Sequence, residues 1–505
     1  MDTRTEPDFT RREFAAAISG TVLAAIAAEA KSPPEDRRRV YVVPNFHPAS
    51  CGWLTTFSKE RMYCANSYLS HLDRVRDDPN YEFVMSEVNN IIAIMDFQPH
   101  RIPELKDRIR QGRVELVNGF FLESTINLSG GEALLRLGVE GLRWYRQIFG
   151  TEPRFSWNID VCGTHEQMPQ IASELGLKAL VYTRKNPTGK TIFWSVSPDG
   201  SKILTLCPGH YSEASAIFST KQPLTTPQLE ELEKFFDSKE PITPTGAPIL
   251  VLAGSGDYAL APALKTYPTQ FLDQWKQAHL DKDVEFSTLG KYVDAIEPGI
   301  ASGEIAVPTF SGGTAYDFDA FWIENPKVKT LYRRNEHALQ ATEILSTVAS
   351  LESPYKYPTS DLYDVWVLMC LNMDRNTLWG SAGGMVFVDP KSWDVQDRFD
   401  WIEKTTTGLC RSAGRALLSD GRAFGLFNPL NWSRSDPISL RLPTGASLKS
   451  TPCEALPDGS VLCQIPMEPV SIAAFELSPH PAPRPQSIPL PEAIETDHYS
   501  IKIDP

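Results

Sequence analysis

Carboxylates, imidazoles and cysteines recur along this chain, each directly behind a short apolar run. Asn45-Phe46-His47 closes the first run and leads to Cys51-Gly52-Trp53; Ser86-Glu87-Val88-Asn89-Asn90 closes the second; Asn118 and Glu123 follow the third. The fourth run ends at Asp160, with Cys162, His165 and Glu166 behind it. Tyr182-Thr183-Arg184 closes the fifth, Cys207 and His210 follow the sixth, and Gly254-Ser255-Gly256-Asp257-Tyr258 closes the seventh. Two carboxylates flanking a glycosidic bond can cleave it, one attacking the anomeric carbon and the other protonating the leaving oxygen. Asp160 and Asp257 are the best pair for that chemistry. A carboxylate at such a point can equally cap the next helix, so the signal lies in the polar ends taken together. No G-x-G-x-x-G follows the first run, which disfavours a nucleotide site.

These groups share a rim only if the runs are strands of one sheet with their C-terminal ends side by side. Val40-Tyr41-Val42-Val43, ending at Pro44, reads as a buried strand, and further runs lie at 83–85, 114–117, 155–159, 179–182, 203–207 and 249–253. Helical patterns at 62–75, 102–110 and 131–149 separate the earlier ones. Strands spaced by helices mean parallel βα units, hence a barrel or an open doubly wound sheet. Helical stretches at 325–349, 360–372 and 395–417 predict a bundle, and short strands at 423–427, 438–442, 461–465 and 471–477 predict a small β domain. Residues 481–505 form a proline-rich tail.

The length of 505 residues allows about three domains at roughly 150 residues each. Lys plus Arg total 49 against 63 Asp plus Glu, a net charge of −14, which argues against a protein that tracks nucleic-acid phosphates. Eight cysteines are too few for a disulfide scaffold, though isolated bridges fit an exported protein. Thr10-Arg11-Arg12-Glu13-Phe14, an apolar run at 15–28 and Ala28-Glu29-Ala30 resemble a twin-arginine export signal over residues 1–30, followed by a linker at 31–39. The expected location is the periplasm or outside the cell. The apolar run falls short of the roughly 20 residues a membrane-spanning helix needs, so no permanent span is expected.

Ser156-Trp157-Asn158-Ile159-Asp160-Val161-Cys162-Gly163, continuing to Gln167-Met168-Pro169, resembles the nucleophile motif of glycoside hydrolase family 38, the α-mannosidases. Asn118 through Glu123, with Asn127-Leu128 and Gly131-Glu132, is similar to the same family, as is Val43-Pro44 leading to His47, Gly52-Trp53-Leu54 and Thr56-Phe57. The segment at 252–262 resembles that family's G-x-G-D stretch, with Asp257 at the general-acid position. Phe427-Asn428-Pro429-Leu430-Asn431-Trp432 and Arg434 resemble the opening of its C-terminal β region. The resemblance implies a seven-stranded (β/α) barrel over 40–322, a three-helix bundle over 323–417 and a small β-sandwich-like domain over 418–480. It also implies a retaining glycoside hydrolase acting on an oligosaccharide or glycoside, with Asp160 as nucleophile and Asp257 as acid/base. His47, Trp53, Glu87, Asn89, Glu123, Arg184, His210, Tyr258, Arg375 and Trp379 are the expected substrate contacts.

The departures concern zinc, the cofactor the resemblance implies. The family holds it with a His, an Asp two residues later, the nucleophilic Asp and a His in the helical region. Here His47 and Asp160 keep their places, but Pro48-Ala49 follows His47, and Arg375 with Asn376 stands where the last His and the Asp beside it are expected. Cys51 and Cys162 could rebuild the site as thiolates, pair as a disulfide, or be plain buried thiols. Arg375 could replace the cation beside Asp160, and so favour an acidic sugar, or form a buried ion pair. Glu87, Asn89 and Asn90 either line the pocket or satisfy loop backbone; His165 with Glu166 is an auxiliary acid/base pair or a surface feature. Trp53, Trp379 and Tyr258 either stack on sugar or pack, and the loop at 312–317 either closes over the rim or is a simple turn. A non-catalytic carbohydrate-binding protein and a metal-independent sugar lyase remain the alternatives.

Overall fold

The computed structural model describes residues 37–49, 54–214, 221–256, 258–278, 280–315, 319–380, 388–389, 394–418, 423–485, 489 and 491–503. The export segment, Cys51, Trp53, Asp257 and the end of the 312–317 loop lie outside them. The chain divides into two units. The first gathers the described residues of Met1–Asn127, Leu137–Asp319 and Gly383–Val388; the second, those of Leu128–Arg136, Ala320–Ala382 and Asp389–Pro505.

In chain order the first unit carries β1 (Arg38–Phe46), α1 (Phe57–Asp77), β2 (Phe83–Met85), α2 (Val88–Phe97), α3 (Ile102–Arg110) and β3 (Val114–Leu116). Residues 137–149 of α4 (Gly131–Phe149) follow, then β4 (Phe155–Trp157), α5 (Met168–Glu174), β5 (Ala179–Val181), β6 (Ile192–Val196) and β7 (Lys202–Leu206). The unit ends with α6 (Thr226–Lys239), β8 (Ile249–Ser255), α7 (Thr269–Gln277), β9 (Lys282–Phe286) and α8 (Leu289–Ser302).

The first strand is buried on both faces, as expected for a parallel sheet covered by helices. Successive side chains alternate between faces. Tyr41 and Val43 join Val84, Val117, Trp157, Val181, Leu204, Leu206, Leu250 and Leu252 in one core. Val40 and Val42 pack instead with Ile249, Val251, Val284 and Phe286 against Leu232, Phe236, Phe271 and Trp275 of α6 and α7. Each such side chain, fully buried, stabilises the fold by about 1.5–3 kcal/mol.

Hydrogen bonding groups the strands into separate sheets. β1 lies between β8 and β9, parallel to both. β2 pairs with β3 in parallel, and β4, β5 and β7 run parallel, with β6 antiparallel at the side of β7. Among the described residues these sheets do not close into one ring, which departs from the expected barrel. The physical reason is brevity: β2 and β3 have 3 residues each, too few to carry a continuous ladder. Single bonds span the breaks. Gly119 N donates to Phe155 O at 2.8 Å and Trp157 N to the Asn118 side-chain oxygen at 3.2 Å, so the end of β3 is tied to β4.

Two of the strands named above lie outside the seven apolar runs. β6 forms a hairpin with β7 through Ser197-Pro198-Asp199-Gly200, where Gly200 N donates to Ser197 O; Pro-Asp-Gly between two apolar runs is a turn signal that could have located it. β9 alternates charged and apolar residues (Lys282-Asp283-Val284-Glu285-Phe286), so its apolar content is low although both Val284 and Phe286 are buried.

In the second unit α9 (Pro326–Glu352), α10 (Thr359–Asn372), the short α11 (Arg375–Leu378) and α12 (Val395–Leu417) precede the β region. Thr342 on α9 lies 3.0 Å from the Cys410 sulfur on α12, and Arg398 on α12 donates to the Asn372 side-chain oxygen on α10. The β region is two three-stranded sheets. One has β15 (Ser471–Ser478) between β10 (Ala423–Asn428) and β12 (Ser447–Leu448); the other has β14 (Val461–Gln464) between β11 (Pro437–Leu440) and β13 (Cys453–Ala455). A disulfide joins Cys453 to Cys463. In the tail, β16 (Ala493–Glu495) and β17 (Ser500–Lys502) form an antiparallel hairpin, with β-branched Ile494 opposite Ile501.

Candidate active site

Asp160 sits one turn beyond β4, and the chain is braced there from both sides. Asn158 N continues the strand pairing by donating to Val181 O at 2.9 Å. Ile159 is anchored in the core, and Thr183 donates its hydroxyl to Ile159 O. The buried Glu123 carboxylate accepts Ile159 N at 3.0 Å and Asp160 N at 3.2 Å. The next residues are held too: Thr314–Ala315 pairs antiparallel with Gly163–Thr164. Gly163 has φ of 137°, and a side chain there would run into Thr314 O, so only glycine fits. That antiparallel bridge is the described part of the 312–317 loop.

The Asp160 carboxylate, 15% exposed, meets two side chains among the described residues. Oδ2 lies 3.2 Å from Nε2 of His47 at the end of β1. Oδ1 accepts Nε of Arg184, three residues past β5, at 2.5 Å, and Nη2 of the same guanidinium joins the ion pair. His47 is buried, its ring 4.3 Å from that of Tyr211 beyond β7. Gly254 N at the end of β8 donates to Tyr211 O at 2.9 Å, and a side chain at Gly254 would strike both Tyr211 O and the Asn45 amide. His210 packs on Tyr211 at 4.2 Å. Its Nδ1 accepts Ser212 N at 3.2 Å, which leaves Nε2 to carry the proton in the neutral ring. Burial, then the Arg184 charge, pull the His210 pKa below its usual value of 6.5, with Asp160 opposing. The ends of β1, β4, β5 and β7 thus bring a carboxylate, a guanidinium and two imidazoles together.

The sequence profile described as "Glycosyl hydrolases family 38 N-terminal domain" matches residues 37–313, more than half of the chain. The chain belongs to glycosyl hydrolase family 38. It is 24% identical over 427 residues to an α-mannosidase of Saccharomyces cerevisiae, covering 82% of this chain and 38% of that protein. It is 23% identical over 428 residues to α-mannosidase 2C1 of Mus musculus, again covering 82% and 38%. The chain therefore spans about 38% of the length of these relatives. In fold it is similar to a crystal structure of an α-mannosidase from Enterococcus faecalis V583, with a TM-score of 0.72 at 17% identity over 93% of this chain and 60% of that one.

Zinc fits this family 38 centre poorly. A catalytic zinc takes three protein ligands and an open position. Among the described residues His47 and Asp160 are the donors, the second residue after His47 is the buried Ala49, and no group of three or more His, Cys, Asp or Glu could hold an ion. Cys162 is buried, and its relation to Cys51 lies outside the described residues.

Several expected contacts also hold the fold together. Glu123 braces the Asp160 turn by accepting from two backbone amides. Tyr258 gives its hydroxyl to Ala49 O and sets its ring edge-on to Tyr63 at 5.4 Å, so it staples the loop after β8 to the end of β1. Glu87 is buried with φ of 68° ahead of α2, next to Tyr68 and Tyr145, whose pKa values burial and then its charge raise, burial and the Cys64 thiol contributing too at Tyr68. Asn89 and Asn90 are buried in the first turn of α2. His165 and Glu166 are exposed, and His165 Nδ1 accepts Gln167 N at 3.1 Å, a surface turn. Burial pushes the Cys207 thiol up to about 12, against the pull of Lys239, leaving it unreactive.

Arg375 and Trp379 belong to the second unit. Asp374 caps α11 by accepting Thr377 N at 3.0 Å, and Arg375 is buried with Nη1 4.0 Å from Asp374 Oδ2. Trp379 is 3% exposed and stacks on Phe321 at 4.5 Å. The guanidinium found on Asp160 is that of Arg184, which the sequence marked as a strand-end residue and an expected substrate contact; Tyr211 carried no signal beyond its place beside His210.

Proposed function

We propose that this chain is a glycoside hydrolase of the α-mannosidase kind that works with retention, Asp160 being the nucleophile and Asp257 the acid/base. The observation that carries the reading is the Asp160 carboxylate, partly open to solvent and clamped at a strand end by Arg184 and His47 within a family 38 domain. A retaining mechanism needs a carboxylate fixed in orientation and ionised at the moment of attack. Arg184 serves both needs, because a guanidinium stays charged and grips a carboxylate along its plane. An electron pair of Asp160 forms the bond to the anomeric carbon while the bond to the leaving oxygen breaks and takes the Asp257 proton. Water, deprotonated by Asp257, then attacks the same carbon and releases Asp160. Glu123 keeps the turn from moving during both displacements, and His210 can donate from Nε2 to a sugar oxygen.

The substrate is a neutral glycan in this reading, since the positive charge of Arg184 is matched by Asp160. We read the parallel strands β1, β2, β3, β4, β5, β7 and β8 as staves of the family barrel, a view supported by the single core they fill. The twin-arginine pattern supports a periplasmic or extracellular location in this reading.

The test is turnover of aryl α-mannosides by wild type and Asp160→Ala, with mass spectrometry after a slow fluorinated mannosyl fluoride. Loss on the order of 10⁴-fold in kcat, with a covalent sugar on Asp160 in the wild type, is expected. Undiminished turnover in Asp160→Ala refutes the nucleophile assignment.

A further inference from the structure

We propose that the centre around Asp160 works without zinc, with the Arg184 guanidinium as the fixed cation on the attacking carboxylate. The proposal rests on the reading of Asp160 as nucleophile and concerns what holds that group. Two observations on the donor set support it. The ligand count stops short: His47 Nε2 and Asp160 Oδ2 face each other at 3.2 Å, and no third His, Cys, Asp or Glu completes a set among the described residues. Ala49, two residues beyond His47, is 3% exposed and offers no donor atom to the centre, while its carbonyl takes the Tyr258 hydroxyl.

The lone pairs of Asp160 are also already directed. Oδ1 takes two nitrogens of one guanidinium, and Oδ2 faces an imidazole that Tyr211 holds in place. A metal at a nucleophilic carboxylate would supply positive charge and a fixed orientation. Arg184 supplies both as a permanent cation with a rigid fork. Its own position is set by β5, whose pairing with β4 aligns Val181 with Trp157 and brings Arg184 alongside Asp160. Arg184 is on this view a positioning residue: it acts on the sugar through Asp160. The displacement is unchanged in its balance, since attack by Asp160 and protonation by Asp257 need no electron acceptor.

The experiment measures metal directly and does not depend on turnover. The full chain, purified without chelator or added metal, is analysed for zinc, titrated with zinc by calorimetry, and melted with and without zinc, beside His47→Ala and Asp160→Asn. Well under one zinc per chain, no binding heat and an unmoved melting temperature are expected. Zinc that persists in both variants sits elsewhere and agrees with a metal-free centre. One zinc per chain that vanishes in both variants overturns the proposal. With a turned-over glycoside, activity should survive chelation, and Arg184→Met should lower kcat about 100-fold with KM little changed. Arg184→Lys should keep part of the rate, and added guanidinium should restore part of Arg184→Ala. Full activity in Arg184→Met overturns the role given to the guanidinium. If no glycoside is turned over, the hydrolase reading fails while the metal measurements still decide this one.

Discussion

Asp160 is held by groups that differ in how they would fail. Arg184 and His47 touch its carboxylate, whereas Glu123 accepts from the backbone beneath it. Glu123→Gln keeps one acceptor but loses the charge that two amides share. It should lower stability by about 1–3 kcal/mol and reduce kcat with it, read by thermal melting and by turnover of the same samples. Glu123→Asp, too short to reach both amides, should behave alike. The position was legible in the sequence as a polar strand end; its duty was not, because a carboxylate that braces a turn and one that lines a subsite look the same without coordinates. Tyr258 repeats the lesson, an aromatic beside the expected acid whose hydroxyl turns out to staple two loops.

The packing of α1 on β2 carries a pH dependence. His71 on α1 stacks flat on Phe83 at 4.3 Å, its Nδ1 2.7 Å from the Tyr81 hydroxyl, and burial pulls its pKa down to about 3. The folded state therefore keeps the ring neutral, while the unfolded chain takes up a proton near the ordinary value of about 6.5. Below that pH the unfolded state binds more protons, so stability falls as pH drops and levels off near 3. His71→Phe should flatten the stability profile by up to about 1.4 kcal/mol per pH unit between pH 6 and 4, measured by urea unfolding at each pH. In α6, Phe236 is fully buried against Trp275, and Phe236→Ala should cost about 3–5 kcal/mol. The Cys453–Cys463 bridge closes a loop of sequence separation 10, and Cys453→Ser with Cys463→Ser should remove about 2–3 kcal/mol, seen by calorimetry.

At the scale of the whole molecule, the export reading predicts that Arg11→Lys with Arg12→Lys leaves the protein in the cytoplasm; fractionation that still finds it outside would remove that address. The acidic balance of −14 fits a partner other than nucleic acid. Seven apolar runs, the turn chemistry between them and the Asp160 segment were readable locally, because run length, hydrophobic period and a contiguous motif are properties of neighbouring residues. β9 was not, since its burial comes from β1 beside it and from α7 above it, not from its own composition. So the sequence by itself determined the family, the parallel βα plan and the strand end that bears Asp160. Tertiary structure alone decided which cation meets Asp160. The sequence offered Arg375 for that place, and strand register sets Arg184 against the carboxylate. Ion pairs between distant residues depend on the alignment of separate elements, and no local pattern encodes that alignment.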